Sequence, residues 1–459
     1  MKFGIKNILS IVLLTFGYTA CLALNVVIPA ELKSKLSVNI VNSNNGNTIY
    51  SYQADTPRLV ASNVKLFTAL FGLENLRADF HWQTQLFYTG NIDNGILNGD
   101  LYLKGGGDPT LDDKALYKLF GQLKRLGIKK IKGNVIFDNS IFNTKPTYSM
   151  IEYTDYDVDT VIPNGVIING NIVQFTILIN KQQVQLRNNL YQYKVNNNLK
   201  IDPKSDAPCI EPYKNIKLTL ESSSQTVTLS GSISKLCKNK TILYNLLPPL
   251  MYNKMVLTKI FKNFGINVNG SYLDGTTPDG APLIGEHNST SLEQALINMN
   301  RFSNNLIAQT VILSVGAYKT KNADSFADSS NQFGKFLAKY EMNNPKFLLE
   351  NGAGLSRHEY FTAKNVTRLL DVANKSNFST QFEATLPSPG RAGTLRQSFP
   401  KLRNRLYAKT GTLNDVSSYS GYLYAKNGNK YIVVLIANDI TPQQKNMFYN
   451  WANKLLLSM

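Results

Sequence analysis

Ser62 and Lys65 stand three positions apart in "LVASNVKLFTALFGLENL", residues 59–76, where an apolar helical repeat begins. On a helix this spacing places two side chains on one face, within reach of each other. A serine hydroxyl is a weak nucleophile and needs a base at hydrogen-bond distance. Lysine serves as that base once its pKa falls far enough to leave part of it neutral. A helix N-terminus disfavours an added positive charge, and burial or a second cation acts in the same direction. The pair could therefore pass a proton from hydroxyl to amine. S-x-x-K also occurs at Ser232 and Ser398, but Ser232 lies in a strand-like run and Ser398 is followed by Pro400.

Two other groups could join this pair. In "RFSNNLIAQ", Ser303 and Asn305 form S-x-N ahead of an apolar helical run. The same pattern occurs at Ser37, Ser43 and Ser329, and either residue would serve equally as a helix cap. In "YAKTGTLNDVSSYSGYL", Lys409, Thr410 and Gly411 form the sole K-T-G of the chain, on an expected strand. A cation and a hydroxyl at a sheet edge bind a carboxylate, and a glycine lets a peptide approach the backbone closely. The plainer alternative is an edge strand with a glycine bulge. His81, His287 and His358 have none of the neighbours of a histidine triad or a zinc site. Gly105 to Gly107 complete neither phosphate-binding glycine pattern and are read as a turn with positive φ.

Both chain ends supply elements that could hold these groups. "LSVNIVNSNNGNTIYSYQ" reads as strand, turn and strand before the helix that carries Ser62. "NRLYAKTGTL", "SYSGYLYAKNGNKYIVVLIAND" and "PQQKNMFYNWANKLLL" read as a strand, a hairpin with its tip at Asn427 to Asn429, and an amphipathic closing helix. These strands could share one antiparallel sheet. Residues 99–170 alternate strand, glycine turn, helix and strand, and residues 171–286 are rich in short strand patterns, so an insertion separates the two ends.

The chain has 459 residues, 43% of them hydrophobic, and at roughly 150 residues per domain it has room for about three. Lys2 and Lys6, an uncharged apolar run and small residues up to Ala23 read as a secretory signal. An uncleaved N-terminal membrane anchor is the alternative, since no charge occurs between Lys6 and Glu31, and a lipid-modified Cys21 is a weaker one. Export would leave Cys209 and Cys237 in an oxidising compartment, where a disulfide between them is the economical reading over two buried thiols. The net charge of +18 then points to cell-wall polymers or anionic lipids as available polyanions rather than to nucleic acid. The basic run at 118–133 reads as a solvated face.

Taken together and in this order, S-x-x-K, S-x-N and K-T-G are the trio of class A β-lactamases and penicillin-binding proteins. More specifically, the chain resembles the type-4 class of penicillin-binding proteins, the D-alanyl-D-alanine carboxypeptidases and endopeptidases of peptidase family S13. "DLYLKGGGDPTL", "NGAGLSR" at 351–357, "GRAGTLRQ" at 390–397 and "AKTGTL" carry the likeness over nearly the whole mature chain. The family usually shows an acidic residue and a serine where this chain has Asn351 and Ala353. The stretch from Ser62 to Ser303 is far longer than a class A β-lactamase places between those elements, and Glu341 in "EMNNP" completes no deacylating E-x-x-L-N pattern.

The resemblance implies an α/β multi-domain protein with a penicillin-recognising, β-lactamase-like catalytic domain of antiparallel sheet and flanking helices, interrupted by two nested domains. The expected division is signal 1–23, catalytic domain 24–84 with 288–459, a β-rich insertion 85–98 with 171–287, and a second α/β insertion 99–170. It implies a serine DD-peptidase with Ser62 as nucleophile, Lys65 as base, Ser303 as proton relay and Asn305 holding Lys65 and the substrate amide. Lys409 and Thr410 would bind the substrate carboxylate and add positive potential that lowers the Lys65 pKa, Gly411 and Thr412 would be further substrate-binding positions, and backbone N–H groups of Ser62 and Thr412 would form the oxyanion hole. Peptidoglycan stem peptides and β-lactams are the implied partners; no metal or organic cofactor is required, and no oligomeric state follows. A β-lactamase and a catalytically silent wall-binding protein on the same fold are the alternatives. The acidic stretch "EYTDYDVD" (152–159), with Asp155 and Asp157, could read the ammonium of a diamino acid in the wall peptide or be a solvated loop.

Overall fold

The computed structural model describes residues 27–142, 156–180, 183–202, 215–319 and 325–459. The expected signal at 1–23 lies outside the described residues, and among those described no helix is long and apolar enough to cross a membrane.

Both chain ends do share one sheet. Strands β1 (Leu36–Asn42) and β2 (Thr48–Tyr52) come from the start, and β3 (Leu406–Leu413), β4 (Val416–Tyr424) and β5 (Lys430–Ala437) from the end. The order is β2-β1-β5-β4-β3, every pair antiparallel, with Val38 opposite Leu435 and Lys409 opposite Ser420. β5 reads "KYIVVLIA" because it is central and covered on both faces. Ile432, Val434 and Ile436 enter the core built by the helices on one side, whereas Val433, Leu435 and Ala437 enter the core under the C-terminal helix on the other.

The helices on the first face are α1 (Val64–Leu76), α2 (Leu292–Phe302), α3 (Asn305–Lys319), α4 (Ser325–Lys339) and α5 (Ala363–Lys375). The closing helix α6 (Pro442–Leu457) covers the other. α1 is apolar almost all round and correspondingly buried, with Phe67 stacked 3.8 Å from Phe361. Proline at the first position of α6 and a reciprocal Thr441/Gln444 cap define its start.

The chain leaves this domain at Trp82 and returns at Ser289, where the two crossings are tied by Ser289 N–H to Trp82 C=O at 2.9 Å. Beyond them a five-stranded mixed sheet runs in the order Tyr272–Asp274, Val135–Asp138, Leu101–Gly105, Gln83–Tyr88, Leu283–Asn288. Helices Asp113–Arg125 and Pro249–Phe264 pack together on it, with Phe120 edge-on to Phe261 at 5.2 Å. Two three-stranded sheets, drawn from residues 173–244, form the β-rich part. Strand pairing therefore crosses the expected divisions at 98/99 and 170/171: Phe87 pairs with Tyr102, and Tyr272 with Val135. The short-strand pattern marks the β-rich part, but local periodicity cannot say which distant strand completes a sheet.

Cys237 is disulfide-bonded, and its expected partner Cys209 lies outside the described residues. Of the triple glycine, only Gly107 has the positive φ (82°) expected of a turn. Gly105 and Gly106 instead allow close approach: a Cβ would meet Gly165 O at 2.0 Å and Gln83 O at 2.3 Å. Tyr318 at the end of α3 donates to the Gly106 carbonyl at 2.7 Å, fastening the inserted part to the catalytic helices.

Candidate active site

Ser62 occupies a 3-10 turn, Ala61–Asn63, that runs straight into α1, and Lys65 is the second residue of that helix. The turn is held from below by the sheet. Asn63 Nδ2 donates to Ser418 Oγ and Ser420 Oγ, each at 2.9 Å, and Ser418 Oγ donates to the Val60 carbonyl at 2.9 Å. β3 runs beside these serines, with Gly411 opposite Ser418. A Cβ at Gly411 would lie 2.3 Å from Ser418 Oγ and 2.5 Å from Val60 O. This glycine therefore brings β3 against the protein's own nucleophile turn, where the sequence suggested a place for the substrate backbone.

Lys65 Nζ is fully buried and donates three hydrogen bonds: to Ser62 Oγ at 3.1 Å, Asn305 Oδ1 at 2.5 Å and the Ala353 carbonyl at 2.5 Å. Two of these partners only accept. When Lys65 is neutral, its two remaining N–H bonds belong to Asn305 and Ala353, and its lone pair is left facing Ser62, whose hydroxyl alone can donate to it. With this geometry a neutral Lys65 can accept the Ser62 proton. Burial lowers the Lys65 pKa from 10.5 to about 7, against the opposing pull of the Asp159 and Glu359 carboxylates.

The S-x-N residues come from the junction of two helices. Ser303 ends α2 in the left-handed region (φ 58°, ψ 36°), a conformation costing roughly 1–2 kcal/mol for a non-glycine residue, and Asn305 opens α3. The capping expected of this motif falls to Asn304, whose Oδ1 accepts the Ile307 N–H at 2.9 Å. Ser303 and Asn305 are thereby left free to face inward. Lys409 Nζ donates to Ser303 Oγ at 3.0 Å and to the Thr410 carbonyl at 2.8 Å. Lys409 is fully buried, and burial together with the nearby Lys65 holds its pKa well below 10.5.

Ser62, Lys65 and Asn305 thus form one hydrogen-bonded group and Ser303 and Lys409 a second, with Lys65 close enough for its charge to act on Lys409. Thr410, Gly411 and Thr412 continue along β3, with Thr410 Oγ1 donating to Thr394 Oγ1 at 2.8 Å in the "GRAGTLRQ" segment. Asp155 lies outside the described residues. Asp157 caps its own short turn, accepting the Asp159 N–H at 2.9 Å. The histidines take other roles: His358 Nδ1 lies 3.0 Å from Glu350 Oε1 and His81 Nδ1 2.7 Å from the Ser289 carbonyl.

Three further groups take part: Ala353 was noted in the sequence as a departure from the family pattern, Asp159 as the end of an acidic stretch, and Glu359 was given no role. Asp159 Oδ1 accepts from Asn305 Nδ2 at 2.6 Å. The Ala353 carbonyl belongs to a loop that wraps around the fully buried Glu359 side chain. Glu359 Oε1 accepts the N–H groups of Glu350, Asn351 and Gly352, and Oε2 that of Gly354, at 2.8–3.2 Å. Burial pushes the Glu359 pKa up while these donors pull it down, and four donors with no acceptor fit the ionised carboxylate. The signal for the loop was "NGAGLSR" itself; nothing local marks Glu359 as its anchor.

An antiparallel sheet flanked by helices, with a serine at the start of a buried helix and two lysines beneath it, defines the class of penicillin-recognising serine enzymes. Within it, the sequence model of the D-Ala-D-Ala carboxypeptidase 3 (S13) family matches residues 24–454, and the chain belongs to that family. It is 26% identical to the D-alanyl-D-alanine carboxypeptidase DacB of Haemophilus influenzae over 406 residues, covering 86% of this chain and 84% of that protein. To the D-alanyl-D-alanine carboxypeptidase of Actinomadura sp. it is 24% identical over 417 residues, covering 87% and 77%. The crystal structure of penicillin-binding protein 4 from Haemophilus influenzae superposes with a TM-score of 0.77 at 25% identity, covering 92% of this chain and 96% of that one.

Proposed function

We propose that this protein is a serine DD-peptidase that hydrolyses D-Ala-D-Ala termini, or D-Ala to diamino-acid cross-links, of peptidoglycan through an acyl-enzyme on Ser62. Membership of the S13 family and the named activities of its relatives support the reaction class. The single observation that carries the mechanism is the lone pair of Lys65, which its two acceptor partners leave facing Ser62.

In this reading Ser62 Oγ attacks the carbonyl carbon of the penultimate D-alanine as its proton passes to Lys65. Ser303, linked to Lys409, relays that proton from Lys65 to the departing amine as the C–N bond breaks, which leaves Lys65 neutral again. Backbone N–H groups of Ser62 and Thr412 receive the developing oxyanion, and Lys409, Thr410 and Thr412 bind the terminal carboxylate. Water then releases the acyl group, with Lys65 again taking a proton. A β-lactam enters the first step in the same way, and a β-lactam complex of the Haemophilus influenzae protein is in keeping with this. The substrate lies outside the cytoplasm, so the protein is exported, with residues 1–23 as a cleaved signal or as a membrane anchor.

The test is incubation of wild type and Ser62→Ala with free pentapeptide and with cross-linked muropeptides. Wild type releases D-alanine or converts dimers to monomers, and Ser62→Ala does neither. Intact substrates with wild type, or equal cleavage by Ser62→Ala, contradict the assignment.

A further inference from the structure

The hydrogen-bond network does not end at Asn305. Its side-chain amide is held at both ends: Oδ1 accepts from Lys65 Nζ at 2.5 Å, and Nδ2 donates to Asp159 Oδ1 at 2.6 Å. Asp159 is half-buried in a short 3-10 turn, Val158–Thr160, contributed by the inserted part of the chain. An amide can be turned about its last bond, exchanging oxygen for nitrogen with almost no change of shape. A reversed Asn305 would point N–H groups at Lys65 and its carbonyl at a carboxylate. An ionised Asp159 accepts only, so it permits one orientation, the one that presents Oδ1 to the base.

We infer that Asp159 is a positioning residue of the catalytic centre, through which the inserted part of the chain fixes the Asn305 amide and sets the charge felt by Lys65. It acts through Asn305 and needs no contact with substrate. The charged groups around this network are few. Asp157 faces Asp159 from the same turn, Lys65 from α1, and beyond Lys65 stand Lys409 on β3 and Glu359 beneath the Ala353 loop. Burial and Asp157 raise the Asp159 pKa, and Lys65 lowers it. The reciprocal effect of Asp159 on Lys65 is to favour the protonated amine. Removing the carboxylate charge should therefore release the lysine proton at lower pH.

The inference rests on the Ser62 acyl-enzyme reading, and two variants of the full chain test it by fluorescent-penicillin acylation across pH, a probe with no diamino acid to recognise. Asp159→Asn keeps an acceptor for Asn305 but not the charge. The acidic limb of its rate profile should move to lower pH, with a plateau below wild type but above that of Asp159→Ala, since the new amide can hold Asn305 in either orientation. Asp159→Ala removes the acceptor as well, and its plateau should fall about fivefold or more, the scale of one lost buried hydrogen bond. Equal labelling stoichiometry at saturation reports that both variants are folded. An acidic limb that stays in place in Asp159→Asn, or an Asp159→Ala plateau at the wild-type rate, overturns the inference alone. Failure of the wild-type protein to label removes the acyl-enzyme reading and the inference with it.

Discussion

Three bonds around one amine carry the chemistry. A lysine with a pKa near its ordinary value would be almost wholly protonated at neutral pH and could not accept from Ser62. With the value brought to about 7 by burial, half the molecules hold a neutral Lys65 at that pH. Only the neutral form is a base, so acylation of wild type should rise with pH through about 7 and then level. Stopped-flow labelling with a fluorescent penicillin measures that profile. Lys65→Met should lower the plateau by about a thousandfold, the usual worth of a positioned base, with no rise through pH 7. The second lysine has a different place. Lys409 was expected to help draw the Lys65 pKa down, yet burial is what lowers it, and the repulsion between the two ammonium groups is expressed at Lys409.

At the scale of elements, the site is a junction. The serine turn, the α2–α3 junction, β3 and the 350–354 loop each bring one or two groups, and small residues let them meet. A Cβ at Gly354 would meet the serine turn at 2.1 Å from Ala61 O, and Gly411 meets it from β3, where any Cβ collides with a backbone carbonyl as well as a side chain. Gly411→Ala should therefore push β3 from the nucleophile turn and cut the acylation rate on the order of a hundredfold, the cost of a shift of about 1 Å in a reacting geometry. Its thermal midpoint should move little, because the sheet core behind β3 is unchanged; calorimetry and labelling of one preparation separate the two effects. Much of this level was legible in the sequence. S-x-x-K ahead of an apolar run, S-x-N before a helix and K-T-G on a strand are local patterns with local causes. The roles of Glu359 and Asp159 were not legible, because a lone acid in "SRHEY" and the last aspartate of an acidic stretch both look solvated until the fold closes over them. The capping role read for Ser303 or Asn305 went to Asn304, since the left-handed turn at Ser303 shifts the start of α3 and no periodicity foretells it.

For the whole molecule, the sheet shared by both ends was foreseeable from alternation and the terminal hairpin, whereas the internal division was not. Strands as far apart as Gln83–Tyr88 and Leu283–Asn288 pair in one inserted sheet, and only their partners define its edge. This inserted part does more than interrupt the chain: through Tyr318 it is fastened to α3, and through Asp159 it reaches the centre. Its β-rich portion touches the Asp159 turn through Asn245, which donates to Thr160 Oγ1 at 3.2 Å, while Cys237 lies in a separate short turn, Lys235–Cys237. Cys237→Ser, which breaks the disulfide there, should lower unfolding stability by about 2–4 kcal/mol in urea titration. The acylation rate should stay within about twofold of wild type, since distant sites act independently. A large loss of acylation would show that the two regions are coupled.

The measurement that goes straight to the centre is peptide mapping by mass spectrometry after brief exposure to benzylpenicillin. A single penicilloyl adduct on Ser62, formed by wild type and absent from Ser62→Ala, is the predicted result. An adduct at another residue, or an equal one in Ser62→Ala, would contradict the account.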